Sequence, residues 1–375
     1  MNIAENRSDD VLDAVVIGGG QAGLAIGYHL MRQGRDFVIL DAHERVGDAW
    51  RMRWDSLRLF TPAKYDALPG MPFPGDPLAF PGKDELADYL EGYAARFQLP
   101  VLTGVHVDGL WREDGRFIVA AGDRRWIAER VIVATGAFHE PTVPDFAGGL
   151  GASVVQLHSA EYRSPRQLQP GPALVVGLGN SGAEIALEVS RTHATMVSGT
   201  PAGELPVRHG RTAARFVFPI VRFAGLHVLS LGSPIGRRVL PKLTTHAAPL
   251  IRTRRKELAA AGVAPVGRVT GVRDGLPVAD GRALDVANVI WCTGSRSDVG
   301  WMHVPPFDET GQLRQWRGVV ESVPGLYVLG QDRMYSINSD SLLGTVRDAA
   351  YLARRIAEER RAAGSRPRSV ALSKP

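Results

Sequence analysis

Ala14-Val-Val-Ile-Gly-Gly-Gly-Gln-Ala-Gly23 is the stretch on which the fold turns. The apolar run Ala14 to Ile17 stops at Gly18-Gly-Gly-Gln-Ala-Gly23, after which Leu24, Ile26, Leu30 and Met31 recur at helical spacing. That order is strand, glycine turn, helix. The next apolar run, Phe37-Val-Ile-Leu40, ends in Asp41, an acid 23 residues beyond Gly18, close to the ~20 that separates turn from acid in a dinucleotide site. Each glycine has its own reason: Gly18 makes the tight turn, Gly20 lets backbone approach a pyrophosphate, and Gly23 lets the helix pack on the strand. The helix N-terminus then offers N–H groups to an anion.

Working outward, a second copy begins at Leu174-Val-Val176, passes through Gly177-Leu-Gly-Asn-Ser-Gly182 and enters a helix carrying Ile185, Leu187 and Val189 before the strand Thr195-Met-Val197. The copies lie 159 residues apart. Between them fall a helix over 83–97 and apolar stretches at 101–111, 117–121 and 126–133, separated by Glu113-Asp-Gly115 and Ala121-Gly-Asp-Arg124. Those separators predict hairpin turns, hence a small antiparallel meander and a strand returning to the main sheet. That strand ends in Ala134-Thr-Gly136, and Val289-Ile-Trp291 ends likewise in Cys292-Thr-Gly294. Gly325-Leu-Tyr-Val-Leu-Gly-Gln-Asp332 reads as a buried strand, and Leu342 to Leu352 as the last helix. The fold expected is α/β, two nested Rossmann-type dinucleotide-binding domains with a small antiparallel β-meander. Residues 1–150 and 295–360 form the first domain, 151–294 the second, and 361–375 a basic flexible tail.

A chain of 375 residues, 45% apolar and 22% charged, is ample for two domains. The formal charge of +5 equals that of residues 353–375 alone, seven Lys/Arg against two Glu. Basic residues gathered at one end, not along a folded face, argue against nucleic acid as a partner. One cysteine, Cys292, leaves no intramolecular disulfide, zinc finger or CxxC pair. No metal-spaced His/Cys/Asp cluster is seen, so no metal is expected. The first thirteen residues have no apolar core of a signal peptide, which makes a cytoplasmic location the expectation.

These motifs, with Gly47-Asp-Ala-Trp-Arg51, Asp55-Ser-Leu-Arg-Leu-Phe-Thr-Pro62, Leu68-Pro-Gly-Met-Pro-Phe-Pro74 and His158-Ser-Ala-Glu-Tyr162, resemble the flavin-containing monooxygenase-like flavoproteins (class B), in particular the short bacterial and plant auxin-forming type. The resemblance spans about residues 14–353. It implies FAD in the first domain, held by Gly18, Gly20, Gln21, Ala22, Gly23, Asp41, Ala42, Gly47, Trp50, Val107, Thr135, Gly136 and Asp332. It implies NAD(P)H in the second, held by Gly177, Gly179, Asn180, Ser181, Gly182, Ser198, Arg208, Thr293 and Gly294. The implied reaction inserts one atom of O2 into a small organic substrate through a flavin C4a-peroxide. A sulfide or amine, a carbonyl compound or an oxo-acid would serve as substrate. The alternatives are an NAD(P)H-dependent flavin reductase or oxidase, and a non-catalytic nucleotide-binding sensor.

Two departures from the family pattern bear on chemistry. The signature FxGxxxHxxxY/F finds Ala152 and Val154 where Phe and Gly belong, although His158 and Tyr162 match. Phe60 stands where many members carry an asparagine near the flavin, so a short-lived oxygenated flavin and peroxide release are expected. The flavin does the chemistry, and Trp50, Trp54 and Phe60 are the residues placed near its ring.

The strand equivalent to the one ending in Asp41 ends at Ser198, and Arg208, Arg211 and Arg215 follow. Arginines pair with a 2′-phosphate that an acid would repel, which favours NADPH while leaving NADH open. His158 reads as structural before it reads as a general base. The most apolar stretch, 216–231, is broken by Pro219, Arg222 and His227 and is shorter than the ~20 residues of a spanning helix. Buried or dimer-interface packing, a lid over an apolar substrate, and a membrane-surface patch stay open for it.

Overall fold

The computed structural model describes residues 11–136, 140–200, 203–205, 208–243, 249–296, 299–304, 314–331 and 334–364, the side chains of 241–243 and 360–364 excepted. The chain opens with β1 (Ala14–Ile17), α1 (Gln21–Arg32) and β2 (Phe37–Leu40), followed by α2 (Lys83–Arg96) and β3 (Val101–Leu102). A meander of β4 (Gly109–Glu113), β5 (Arg116–Ala121) and β6 (Arg124–Ala128) leads to β7 (Val131–Val133). The second unit runs through β8 (Val155–His158), β9 (Ala173–Val176), α3 (Asn180–Val189), β10 (Thr195–Ser198), β11 (Ala264–Val266) and β12 (Asn288–Trp291). Last come β13 (Leu326–Val328) and α4 (Leu342–Gly364).

Two five-stranded parallel sheets result, in the orders β13-β7-β1-β2-β3 and β8-β12-β9-β10-β11. Both place the strand before the glycine turn at the centre. Their registers match: β1 pairs β2 from Ala14↔Phe37 to Ile17↔Leu40, and β9 pairs β10 from Ala173↔Thr195 to Val176↔Ser198. β13 pairs β7 although the whole second unit separates them in the chain. The central strands are apolar throughout because helices or the meander cover both faces. In β1 and β9 every residue is buried.

The meander forms between the predicted turns, and Val11–Leu12 adds a parallel edge to it. A second antiparallel ribbon, Val269–Arg273, Leu276–Ala279 and Arg282–Ala283, was not expected from the sequence. The expected boundary at 361 also shifts: α4 continues to Gly364, and only 365–375 of the tail lies outside the described residues. α4 lies along α1, with Leu352, Ala353 and Ile356 buried in the same core as Leu24, Ile26 and Leu30. Gln33 Nε2 fastens the pair at the Ala353 carbonyl, 2.9 Å away. Each fully buried leucine there contributes about 1.5–3 kcal/mol.

Candidate active site

The first glycine turn is built by close approach. Gly18 has φ +108°, and a Cβ on it would stand 2.5 Å from the Ala134 carbonyl oxygen at the end of β7. A Cβ on Gly23 would come within 1.8 Å of the Gly18 oxygen. At Gly20, the residue capping α1, a Cβ would meet nothing within 4 Å. The three sequence-stated reasons are therefore distinct in space: turn, contact, and open approach. Gly330 brings the return segment in, since a Cβ there would lie 2.8 Å from that of Ala22. Asp332, two residues on, lies outside the described residues.

Asp41 is buried at the end of β2 and accepts from the N–H groups of Gly19 and His43 (2.8 Å) and from His43 Nδ1 (3.0 Å). Burial alone would raise its carboxyl; the bonds from His43 and Gly19 outweigh that and hold it below the usual carboxylate range. Beside it Ala42 is exposed, and Gly104 and Val105 donate to the carbonyls of His43 and Asp41, which leads the chain to buried Val107. Gly47 (φ +92°) starts the short helix Asp48–Arg51 against Ala87, so Trp50 Nε1 donates to Gln21 Oε1 at 3.2 Å. Gln21, Ala22, Trp50 and the turn thus share one edge of the first sheet. Thr135 and Gly136 follow Ala134 on the same edge, both partly exposed.

The second unit repeats this geometry. A Cβ on Gly177 (φ +107°) would lie 2.2 Å from the Cys292 oxygen, one on Gly182 would lie 1.9 Å from the Gly177 oxygen, and one on Gly179 would meet open space. Neither α1 nor α3 has a side-chain cap or an acid in its first turn. By contrast α2 and the helix Arg255–Ala260 both carry acids there, Gly82 N–H bonding Glu85 and Arg254 N–H bonding Glu257. Both glycine turns thus open on helix ends that carry no side-chain cap and no acid. That is what a pyrophosphate requires, because a capping carboxylate would repel it.

Other second-unit residues are committed to the protein. Ser198 is buried, its Oγ donating to the Gly267 oxygen (2.8 Å) and accepting from Val269 N–H (3.2 Å). The unforeseen ribbon takes the hydroxyl of this residue, for which a nucleotide contact was expected. Asn180 holds the segment 249–251 through both ends of its amide. Thr293 Oγ1 donates to the Thr142 oxygen, and Gly294 accepts from Thr142 N–H. Ser181 is half-buried at the mouth of the turn. Arg208 is exposed with no ion pair among the described residues, whereas Arg211 pairs with Asp76 of the first unit.

Trp54, expected near the flavin ring, is buried with Tyr162, Leu178 and Ala183 in the second unit's core. Phe60 leaves 40% of its surface exposed, and its carbonyl accepts from His209 Nε2 at 3.0 Å. His158 closes β8: Nδ1 accepts from Ala160 N–H (3.1 Å) and Nε2 faces the Gly294 oxygen (3.0 Å). Burial lowers its pKa against the pull of that carbonyl. These contacts fit a neutral imidazole with the proton on Nε2, a structural post for the second Thr-Gly end. Burial pushes the Cys292 thiol up to about 12, which disfavours its thiolate.

Asp66 was missed in the sequence. It is fully buried, takes the Thr61 hydroxyl, and has no hydrogen-bond partner for Oδ2 among the described residues; burial raises it to about 7. Its only sequence signal was an acid inside the run Leu59-Phe-Thr-Pro-Ala-Lys-Tyr-Asp-Ala-Leu68. Glu184 on α3 was also missed; burial raises it to about 7 despite Arg252 at 3.4 Å.

The apolar stretch forms a strap. Pro219 lacks an N–H and its ring crowds the preceding turn, and π-helical turns at Ala213–Val217 and Ala224–Val228 flank the helix Phe218–Phe223. At one end His209 stacks on Phe80 (3.9 Å between centroids). At the other, Leu231 N–H donates to the Tyr335 oxygen and Arg347 Nη1 to the Leu226 oxygen at 2.7 Å. No helix among the described residues is long and apolar enough to cross a membrane.

Two parallel sheets, each carrying an anion-ready glycine turn, define an oxidoreductase of the two-dinucleotide class. Residues 15–207 match the pyridine nucleotide-disulphide oxidoreductase family. An uncharacterized CzcO-like oxidoreductase of Geobacillus kaustophilus is 39% identical over 91% of this chain and 97% of its own. The solved flavin-containing monooxygenase of Stenotrophomonas maltophilia is 30% identical, covers 93% of this chain and 99% of its own, and superposes with a TM-score of 0.69. Rice indole-3-pyruvate monooxygenase YUCCA1 is 29% identical over 94% of this chain and 93% of its own. The chain belongs to the pyridine nucleotide-disulphide oxidoreductase family, and its resemblance to the flavin-containing monooxygenases is borne out over nearly its whole length.

Proposed function

We propose that this chain is an FAD- and NADPH-dependent monooxygenase that transfers one atom of O2 to a small organic substrate. The observation that carries the reading is the pair of uncapped glycine turns with matched close approaches, one in each sheet. The residues present fit FAD at the first. Gly20 leaves open space before the α1 N-terminus, Asp41 keeps a charged carboxylate with lone pairs to spare for ribose hydroxyls, and Gln21 and Trp50 form a polar rim. Gly179 and the α3 N-terminus fit the pyrophosphate of NADPH, with exposed Arg208 available to its 2′-phosphate.

Bound FAD would supply hydride acceptance from the nicotinamide and the reaction with dioxygen. The chain's own part is to hold two nucleotides and keep water out. The strap, anchored at Phe60 and Phe80 on one side and at Tyr335 and Arg347 on the other, spans the first unit and supports the second task. Thiol-disulfide chemistry has no support, since the one cysteine has no second thiol to pair with and its thiolate is disfavoured. The test is NADPH oxidation under isotope-labelled O2 with sulfides, amines, ketones and oxo-acids. Label in an organic product supports the proposal; NADPH consumption matched by peroxide alone, across the panel, points to an oxidase.

A further inference from the structure

The strap has two faces. Ala213, Ala214, Phe218, Gly225 and Leu226 are buried. Facing away, Phe216, Ile220 and Phe223 are 62%, 68% and 61% exposed, at spacings of four and three that put them along one side of a helical turn. Ile235, on the helix that follows, is 56% exposed as well. Large apolar side chains bared in a row call for an occupant.

Charge identifies it. Between residues 205 and 256 the sequence holds eleven Lys/Arg and no Asp or Glu. Four of these pair with acids from outside the stretch: Arg211 with Asp76, Arg252 with Glu184, Arg254 with Glu257 and Arg255 with Glu204. Arg215, Arg222, Arg237 and Arg238 are exposed around the apolar row and have no ion pair among the described residues. A second copy docking through this face in two-fold symmetry would set arginines against arginines with no acid to meet them. A nucleic acid would match the charge but leave three aliphatic and aromatic side chains without an apolar neighbour. Apolar residues ringed by arginine match the acyl boundary and headgroups of an anionic bilayer.

We propose that the outer face of residues 215–238 docks on the surface of anionic lipid membranes, with Phe216, Ile220 and Phe223 entering the acyl boundary and Arg215, Arg222, Arg237 and Arg238 lying among the headgroups. The purified full chain is sedimented with vesicles of phosphatidylcholine alone or with about a third phosphatidylglycerol, at low and raised salt. It should bind the anionic vesicles, lose binding as salt rises, and bind neutral ones at least about tenfold more weakly. Phe216→Ser/Ile220→Ser/Phe223→Ser should lower the partition by about a hundredfold or more with little change in melting temperature, because these side chains are already exposed. Arg215→Gln/Arg222→Gln supplies an independent arm, at about fivefold per arginine. Equal binding by the parent and the triple variant would place the contact elsewhere, such as the basic C-terminal residues, and overturn the proposal. So would no binding by the parent, or a dimer in solution that the triple variant dissolves without any vesicle binding.

Discussion

Gly20→Val tests the first nucleotide site with little disturbance to the fold. Gly20 has φ −75° and ψ −169°, extended backbone that valine adopts, and a Cβ there meets nothing within 4 Å. The cost to folding is that of an apolar residue at a helix N-cap, about 1 kcal/mol at most relative to glycine. The cost to a ligand is larger. Phosphate oxygens must come within about 2.7–2.9 Å of the N–H groups at the α1 N-terminus, and the isopropyl group fills that approach. Losing two such bonds at about 1.5–3 kcal/mol each weakens FAD by about 10²–10⁴-fold. Gly23→Ala should behave differently: its methyl would stand 1.8 Å from the Gly18 oxygen, so stability and flavin fall together. Apoprotein titrated with FAD, alongside thermal melts, separates the two. Gly20→Val binding FAD within about threefold of the parent, or melting as early as Gly23→Ala, would refute the reasoning.

Gly179→Val, also into open space, should keep FAD and lose reduction by NADPH; loss of flavin with NADPH affinity intact would show the nucleotides exchanged between sheets. Arg208→Ala should weaken NADPH by roughly tenfold or more, as seen in the KM ratio of NADPH to NADH. Arg211→Ala should shift that ratio little, because Arg211 already holds Asp76. Asp66 makes a pH prediction. Its folded carboxyl is raised from 3.8 to about 7, so the native state favours the protonated form and this contribution is lost as pH rises between those values. Asp66→Asn should therefore gain on the parent by roughly 2–3 kcal/mol from pH 5 to 8 in denaturant titrations; a constant difference would show that Asp66 ionises normally.

Those features that follow from backbone necessity were legible in the sequence. Gly18 and Gly177 must adopt positive φ, and Gly23 and Gly182 must let a helix touch a carbonyl, so only glycine serves and the motif announces the turn. The central parallel strands were legible for a similar reason: buried on both faces, they read as unbroken apolar runs. What depends on the partner across space was not. Trp54 and Trp50 look alike in sequence, yet one enters the second core while the other reaches Gln21. Ser198 ends a strand as Asp41 does, but the ribbon 269–283 closes on its hydroxyl. Arg208 and Arg211 share a loop and a charge, and only Arg211 finds a carboxylate. The strap read as apolar, but which of its faces is bare required the fold.

The central claim is that two nucleotides meet on this chain and exchange a hydride. Anaerobic titration of the purified flavoprotein with NADPH, followed by visible absorbance, tests it most directly. Bleaching of the flavin should be complete near one equivalent of NADPH per FAD, with recolouring when O2 is admitted. A flavin that stays oxidised under excess NADPH, in protein that still binds both nucleotides, would contradict it.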